Sequence, residues 1–372
     1  MKRFRRTAVV VAAGVAVVVL PAVPAGAGGG ADHGQGGPVV TVATGLDGPR
    51  QLNDYRGNRV VVAESDSGEV SSVSLRSGKV ESLLSGLFSP QGVDYDRGRL
   101  YVATGGPPPP EEGGAPGAPP PGASSLVVAE PGGGVLQTID LLAYELAANP
   151  DGQLQFGPDG APVDALSNPF AVLAQGRRVL VADAGANAVL SVDARTGEVS
   201  TFFVPPVVTD VPGCETAENN PGTVGCDPVP TGITEGPHGR VYVSTLGAEV
   251  PGAGRVYVLS SRGRVVDVID GLTSPTGLAV DRRGTVYVSN VIEGAPQGAP
   301  GPDFDPATIG EVTRVPARGA RSTAQVAMPT GLLVRDGDLY ASAWSIAAFL
   351  QLPAGRGEIV RVGRGAFTPV GG

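Results

Sequence analysis

Short apolar runs recur along the chain with period-two alternation, and Gly, Pro or Asp turns bound each of them. Val, Leu, Ile and Tyr fill the alternating positions, which predicts strands with one face buried. The stretch "SPTGLAVDRRGTVYVSN", from Ser274 to Asn290, contains the whole unit: a Ser-Pro turn, an apolar run, a polar turn, and a second run of alternating Val and Tyr. Its relatives begin at Gly48 ("GPRQLNDYRGNRVVVAES"), Ser89 ("SPQGVDYDRGRLYVATG"), Asn168 ("NPFAVLAQGRRVLVADAG"), Val229 ("VPTGITEGPHGRVYVSTLG") and Met328 ("MPTGLLVRDGDLYASAW"), making six copies. A third run follows each, such as "GEVSSVSL" or "NAVLSVDA", and most have a fourth, such as "KVESLLSGL" or "EVSTFFV". Four strands repeated six times predict an all-β fold, a six-bladed β-propeller with four antiparallel strands per blade.

The two ends fit the same count. The last unit shows three clear strands before "AFTPVGG", while "VVTVATGL", Val39 to Leu46, stands alone ahead of the first. This N-terminal strand is expected in the last blade, beside "GEIVRVGR", closing the ring and covering edges that would otherwise invite aggregation. The alternative, a fourth strand made by Phe367 to Val370, is weakened by Pro369.

Successive strands of a blade alternate in direction, so the connections divide between two faces. Links from first to second and from third to fourth strand are short throughout ("DRRG", "AQGRR", "RTG"). The other face receives every long insertion: the Pro/Gly-rich loop 105–123, "AYELAANPDGQLQFGPDGAPVDALS" between the second and third units, a cysteine-flanked segment between the third and fourth, and loops from Glu293 and Ser345. Long loops in a compact domain carry function or are disordered. For 105–123 linker behaviour suffices. "LLAYELAA" is predicted to form a short helix ending at Asn149 and Pro150. "WSIAAFLQL", with the sole tryptophan Trp344, is expected either over the axis or on the rim.

The residue after each turn proline starts an innermost strand and is expected at the mouth of the central channel. Those residues are Arg50, Gln91, Phe170, Thr231, Thr276 and Thr330. With Trp344 they are the candidate ligand-binding residues. Such a polar ring either bonds a small polar ligand or caps a hydrated channel.

The chain opens "MKRFRRTAVVVAAGVAVVVLPAVPAGAGGG". Four basic residues, an apolar run from Thr7 to Leu20 and the small residues to Ala27 predict a signal peptide over 1–27, and the run is too short to span a membrane. A flexible segment over 28–38 and one propeller domain over 39–367 follow. Loss of the four N-terminal basic residues lowers the basic count from 27 to 23 against 36 acids, a net charge of −13. Nucleic acid is therefore disfavoured as a partner. Cys214 and Cys226 are expected to form a disulfide in an exported chain. The product is expected to be a secreted monomer without a membrane span after cleavage, taking an extracellular small molecule, glycan or protein on the long-insertion face.

The repeat resembles the NHL-type six-bladed propeller. Through "LLAYELAANPDGQ", "DALSNPFAV" and "VADAGANAVLSVD" the chain resembles the ScyD/ScyE family of secreted propellers, from about Val39 to Arg364. That resemblance implies the fold and leaves activity open. Gluconolactonase- and regucalcin-like propellers hold a divalent ion on the axis; their acid before Gly-Pro is matched by Asp47, but their Pro-Asn-Gly asparagine is replaced by threonine. Asp183 could add an oxygen for Ca²⁺, or organise its turn. A lyase of the virginiamycin B type would need histidines, and His33 and His238 lack the ligand spacing. No full catalytic set is present, so no cofactor is expected and the reading is a non-catalytic binding propeller. A divalent-metal hydrolase or lactonase is the alternative.

Overall fold

In a computed structural model of the chain, which describes residues 38–107, 118–158, 160–296, 298, 300, 301 and 303–370, the alternating runs form six antiparallel sheets around one axis. The expected signal peptide over 1–27, most of the segment over 28–38 and much of loop 105–123 lie outside the described residues. From the axis outward, the first blade runs through Pro49–Tyr55, Arg59–Glu64, Glu69–Ser74 and Val80–Leu84. The second begins at Pro90–Asp96, the third at Pro169–Gln175, the fourth at Pro230–Gly236 and the fifth at Pro275–Val280.

The sixth blade is built from both ends of the chain. Leu332–Arg335, Asp338–Ala343 and Gly357–Val362 are completed by Val39–Leu46, which pairs antiparallel with Val40 opposite Arg361 and Thr41 opposite Val360. The C-terminal tail does not compete for that place. Thr368–Pro369 pairs with Ser322 and Thr323 on the outer edge of the fifth blade, which becomes five-stranded.

Alternation gives each blade two apolar faces, and every pair of neighbouring blades buries one layer between them. Leu52, Val60, Val62 and Ile359 seal the last blade against the first, and Val61, Val93, Val102 and Val127 seal the first against the second. The remaining interfaces repeat the arrangement around the ring. The innermost strands meet so closely that four of the six blades carry glycine at one position, Gly92, Gly232, Gly277 and Gly331. A Cβ on Gly277 would lie 1.6 Å from the carbonyl oxygen of Thr330, and one on Gly331 would lie 2.3 Å from that of Arg50.

On the insertion face the helix Leu141–Ala148 forms as expected, capped by the Asp140 carboxylate and ended by Asn149 in the left-handed conformation. Cys214 and Cys226 are joined and, with Val208 and Ala253, make a small apolar core outside the blades. Among the described residues no helix is long and apolar enough to cross a membrane.

Candidate functional site

The axis itself is nearly closed. Where the other blades carry Gly92, Ala171, Gly232, Gly277 and Gly331 at the corresponding position, the first blade carries Gln51. Its Oε1 accepts from the amides of Val93 and Val172, at 3.0 and 2.9 Å, and its Nε2 donates to the Val172 carbonyl. This side chain ties the first blade to the second and third and leaves an axial void of about 20 Å³. That is room for one water, which needs roughly 10–15 Å³.

Four of the six residues expected at the channel mouth, Phe170, Thr231, Thr276 and Thr330, line this void. The threonine hydroxyls already have partners. Thr231 donates to the carbonyl of Pro275, Thr276 lies 3.2 Å from that of Pro329, and Thr330 lies 3.2 Å from that of Pro49. Each hydroxyl thus links one blade to the turn proline of the next. Arg50 and Gln91 are absent from the lining, contrary to expectation. Gln91 turns away to donate to the Ser89 hydroxyl, and the Arg50 Nε–H donates to Ser65 Oγ at 3.0 Å. Trp344 does not cover the axis either; it is buried between the fifth and sixth blades.

An axial metal does not fit these residues. The lining of the void contains no Asp, Glu or His. Asp183, the second candidate ligand, is fully buried and has both oxygens engaged: Oδ2 accepts from Ser167 Oγ at 2.6 Å, and Oδ1 from the amides of Asn168 and Ala186. Burial raises its pKa, and those donors oppose the rise. It organises its turn.

A recess of about 290 Å³ on the insertion face lies off the axis where the ring closes. One wall is the turn before the first blade, with Leu46, Asp47, Gly48 and Asp66; the other is the insertion from Ala347 to Gly357. Local sequence dictates both walls. Gly48 sits at φ +60°, and a Cβ there would strike the Asp66 carboxyl, so this glycine lets the two acidic turns stack. Opposite, Ala347–Leu350 form one 3₁₀ turn that ends at Gln351 in the left-handed region and sends Pro353 to Arg356 back across the opening.

The cleft carries charges of both signs. Asp47 accepts from the Gly355 amide through Oδ1 and donates its own N–H to Glu64 Oε2 at 2.8 Å, so it also fastens the insertion to the first blade. Asp66 is exposed and accepts from Ser65 Oγ at 2.7 Å. Ser65 in turn receives Arg50, buried beneath the cleft, whose pKa is lowered by burial against a smaller opposing effect of Asp66. On the far lip the Arg356 guanidinium lies over the Trp344 ring, 4.2 Å from its centroid. Acceptors thus face a planar donor across an apolar floor of Leu46, Ala347 and Leu352. Of the residues singled out in the sequence, Asp47 lies in this cleft, with Arg50 and Trp344 directly behind it. Asp66 and Arg356 were missed, because nothing in their own segments shows that these turns meet.

No protein-family model matches the chain, and neither does any curated protein. Among solved structures it is similar to a putative gluconolactonase, at 13% identity over 88% of this chain and 92% of that one, with a TM-score of 0.50. A protein of unknown function from Bacteroides thetaiotaomicron matches at 12% identity over 87% of this chain and 75% of that one, also at 0.50. Virginiamycin B lyase from Staphylococcus aureus matches at 11% identity over 90% and 88%, with a TM-score of 0.47. At such identities the likeness is one of propeller fold alone.

Proposed function

We propose that the chain is a secreted, non-catalytic binding propeller of the ScyD/ScyE type that takes a small hydroxylated ligand, such as one sugar unit, in the cleft between Asp66 and Arg356. The observation that carries this reading is the contrast in room: about 20 Å³ on the axis against about 290 Å³ in the cleft. The larger figure lies near the lower end of the volumes that hold small molecules, roughly 300 Å³ and upward. Carboxylates that accept and a guanidinium that donates, placed over apolar floor residues, suit a polyol better than a purely apolar or a singly charged molecule. The signal-like leader and the one-sided insertions support a role outside the cytoplasm. The alternative metal-dependent hydrolase has no carboxylate or histidine at the axial void to hold its ion.

Trp344 fluorescence during titration with a panel of monosaccharides and cyclic polyols tests the reading. A saturable change that is lost in Asp66→Asn and in Arg356→Ala supports it. No saturable change with any member of the panel, or one that survives both substitutions, overturns the cleft as the binding site.

A further inference from the structure

A second concentration of polar groups lies away from both the axis and the cleft, where the insertion between blades two and three meets the disulfide-clamped segment between blades three and four. Glu145 comes from the buried side of the helix Leu141–Ala148, Asp151 and Gln153 from the turn after it, and Asp164 from the end of that insertion. Asn220 lies inside the loop closed by Cys214 and Cys226, and Asp227 directly follows it. Direct contacts join the parts: Gln153 Nε2 donates to Asp227 Oδ1 at 2.8 Å, the Gln153 amide donates to Asp151 Oδ1 at 3.0 Å, and the Asn220 side chain bonds to Asp164.

Two features separate this cluster from an ordinary acidic surface. Its carboxylates have no cation: none of the ion pairs among the described residues involves Glu145, Asp151, Asp164 or Asp227. Independently of charge, oxygens here lack donors. Of ten buried side-chain atoms without a hydrogen-bond partner among the described residues, four are Glu145 Oε2, Asn149 Oδ1, Gln153 Oε1 and Asn220 Oδ1, all of them acceptors. Glu145, Gln153 and Asn220 are 1%, 7% and 2% exposed, so water does not reach them freely. A buried acceptor without a donor is costly, and repelling buried carboxylates more so.

We propose that this junction is a calcium site, with ligands drawn from Glu145, Asp151, Gln153, Asp164, Asn220 and Asp227. Calcium takes six to eight oxygens from carboxylates, amide carbonyls and water in flexible geometry, and it answers both the missing charge and the missing donors. Among the described residues no three His, Cys, Asp or Glu side chains are gathered tightly enough to hold a metal by themselves. The amide oxygens are therefore essential to the set, and they exclude soft-metal chemistry, which favours sulfur and imidazole. The disulfide acquires a purpose as well, since it holds Asn220 and Asp227 opposite the helix and its following turn.

The site is independent of the ligand cleft at the ring closure and is tested separately. Full-length mature protein is stripped with EGTA at pH 7.4 and titrated with CaCl₂ by calorimetry, with melting temperature followed in parallel. The expected result is one equivalent of calcium per chain and a rise of several degrees in melting temperature. Asp164→Asn and Asp227→Asn are expected to weaken binding at least tenfold, while in EGTA they melt no lower than the native chain because a repelling charge is gone. Glu130→Gln, an exposed acid on the opposite face, is expected to bind like the native chain. Absence of calorimetric heat and of any melting shift in the native protein overturns the proposal without recourse to variants. So does a calcium response that both aspartate substitutions leave intact.

Discussion

The guanidinium of Arg356 lies 4.2 Å from the centre of the Trp344 ring, so the lip of the cleft rests directly on the only tryptophan of the chain. A cation over an indole contributes about 0.5–1 kcal/mol at an exposed site. Arg356→Ala is expected to shift the intrinsic emission of the folded protein while costing about 1 kcal/mol or less in urea denaturation. An unchanged emission spectrum would show that the two groups are not in contact in solution.

Gly277 is the tightest point of the ring. An added methyl would lie 1.6 Å from the Thr330 carbonyl oxygen, which is backbone and cannot rotate away. Gly277→Ala is therefore expected to cost about 3 kcal/mol or more. Gly134→Ala, where no atom lies within 4 Å of the new methyl, should change stability by no more than about 0.5 kcal/mol. Equal melting temperatures for the two variants would contradict the close approach of the inner strands.

The fold was legible because it is written six times, and each copy carries the period of two that a strand requires. Ring closure was legible for the same reason: a strand left over at one end matched a gap at the other. Which residues line the axial void was legible only in part. In four blades the residue after the turn proline and its neighbour both line it, but in the first blade Gln51 does and Arg50 does not, because the Arg50 Nε–H is turned to Ser65. The cleft was hidden for a different reason: its acidic wall and its Ala347–Gly357 wall lie about 300 residues apart and meet only when the ring closes. Asp47 was visible as an acid before Gly-Pro, but its partner, the Gly355 amide, is backbone and has no sequence signature.

The Cys214–Cys226 bond closes a short loop outside the blades. In the chain-entropy model such a loop contributes about 3 kcal/mol. The double substitution Cys214→Ser, Cys226→Ser is expected to lower the melting temperature by several degrees while leaving the far-ultraviolet circular dichroism of the blades unchanged. Loss of the strand signal would instead mean that the clamp is needed to form the ring.

Asp94, on the inner strand of the second blade, is pushed up to about 6 by burial, against backbone donation from Ala174 and Tyr95. Its native pKa exceeds the ordinary value of 3.8, so the folded state binds the proton more tightly than the unfolded chain. Its contribution is therefore greatest below about pH 4 and is lost as pH rises through 6, with an upper bound of about 3 kcal/mol. Asp94→Asn should flatten the stability profile between pH 4 and 6 relative to the native protein, read from urea midpoints at each pH. Parallel profiles would assign the pH dependence to other groups.

Thr41 and Glu358, joined by a 3.0 Å hydrogen bond across the closing strand pair, are 317 residues apart in sequence. The earliest strand of the ring therefore waits for almost the last one to be synthesised. A chain arrested anywhere before Gly357 has no partner for Val39–Leu46 and carries two open sheet edges, the state most exposed to proteases and to pairing with another chain. Closure thus acts as a test of completeness. Only a chain that extends through Val362 can pair Val39–Leu46, and the same step that seals the ring assembles both walls of the cleft, so a chain cut short of it lacks the cleft as well as the closed ring.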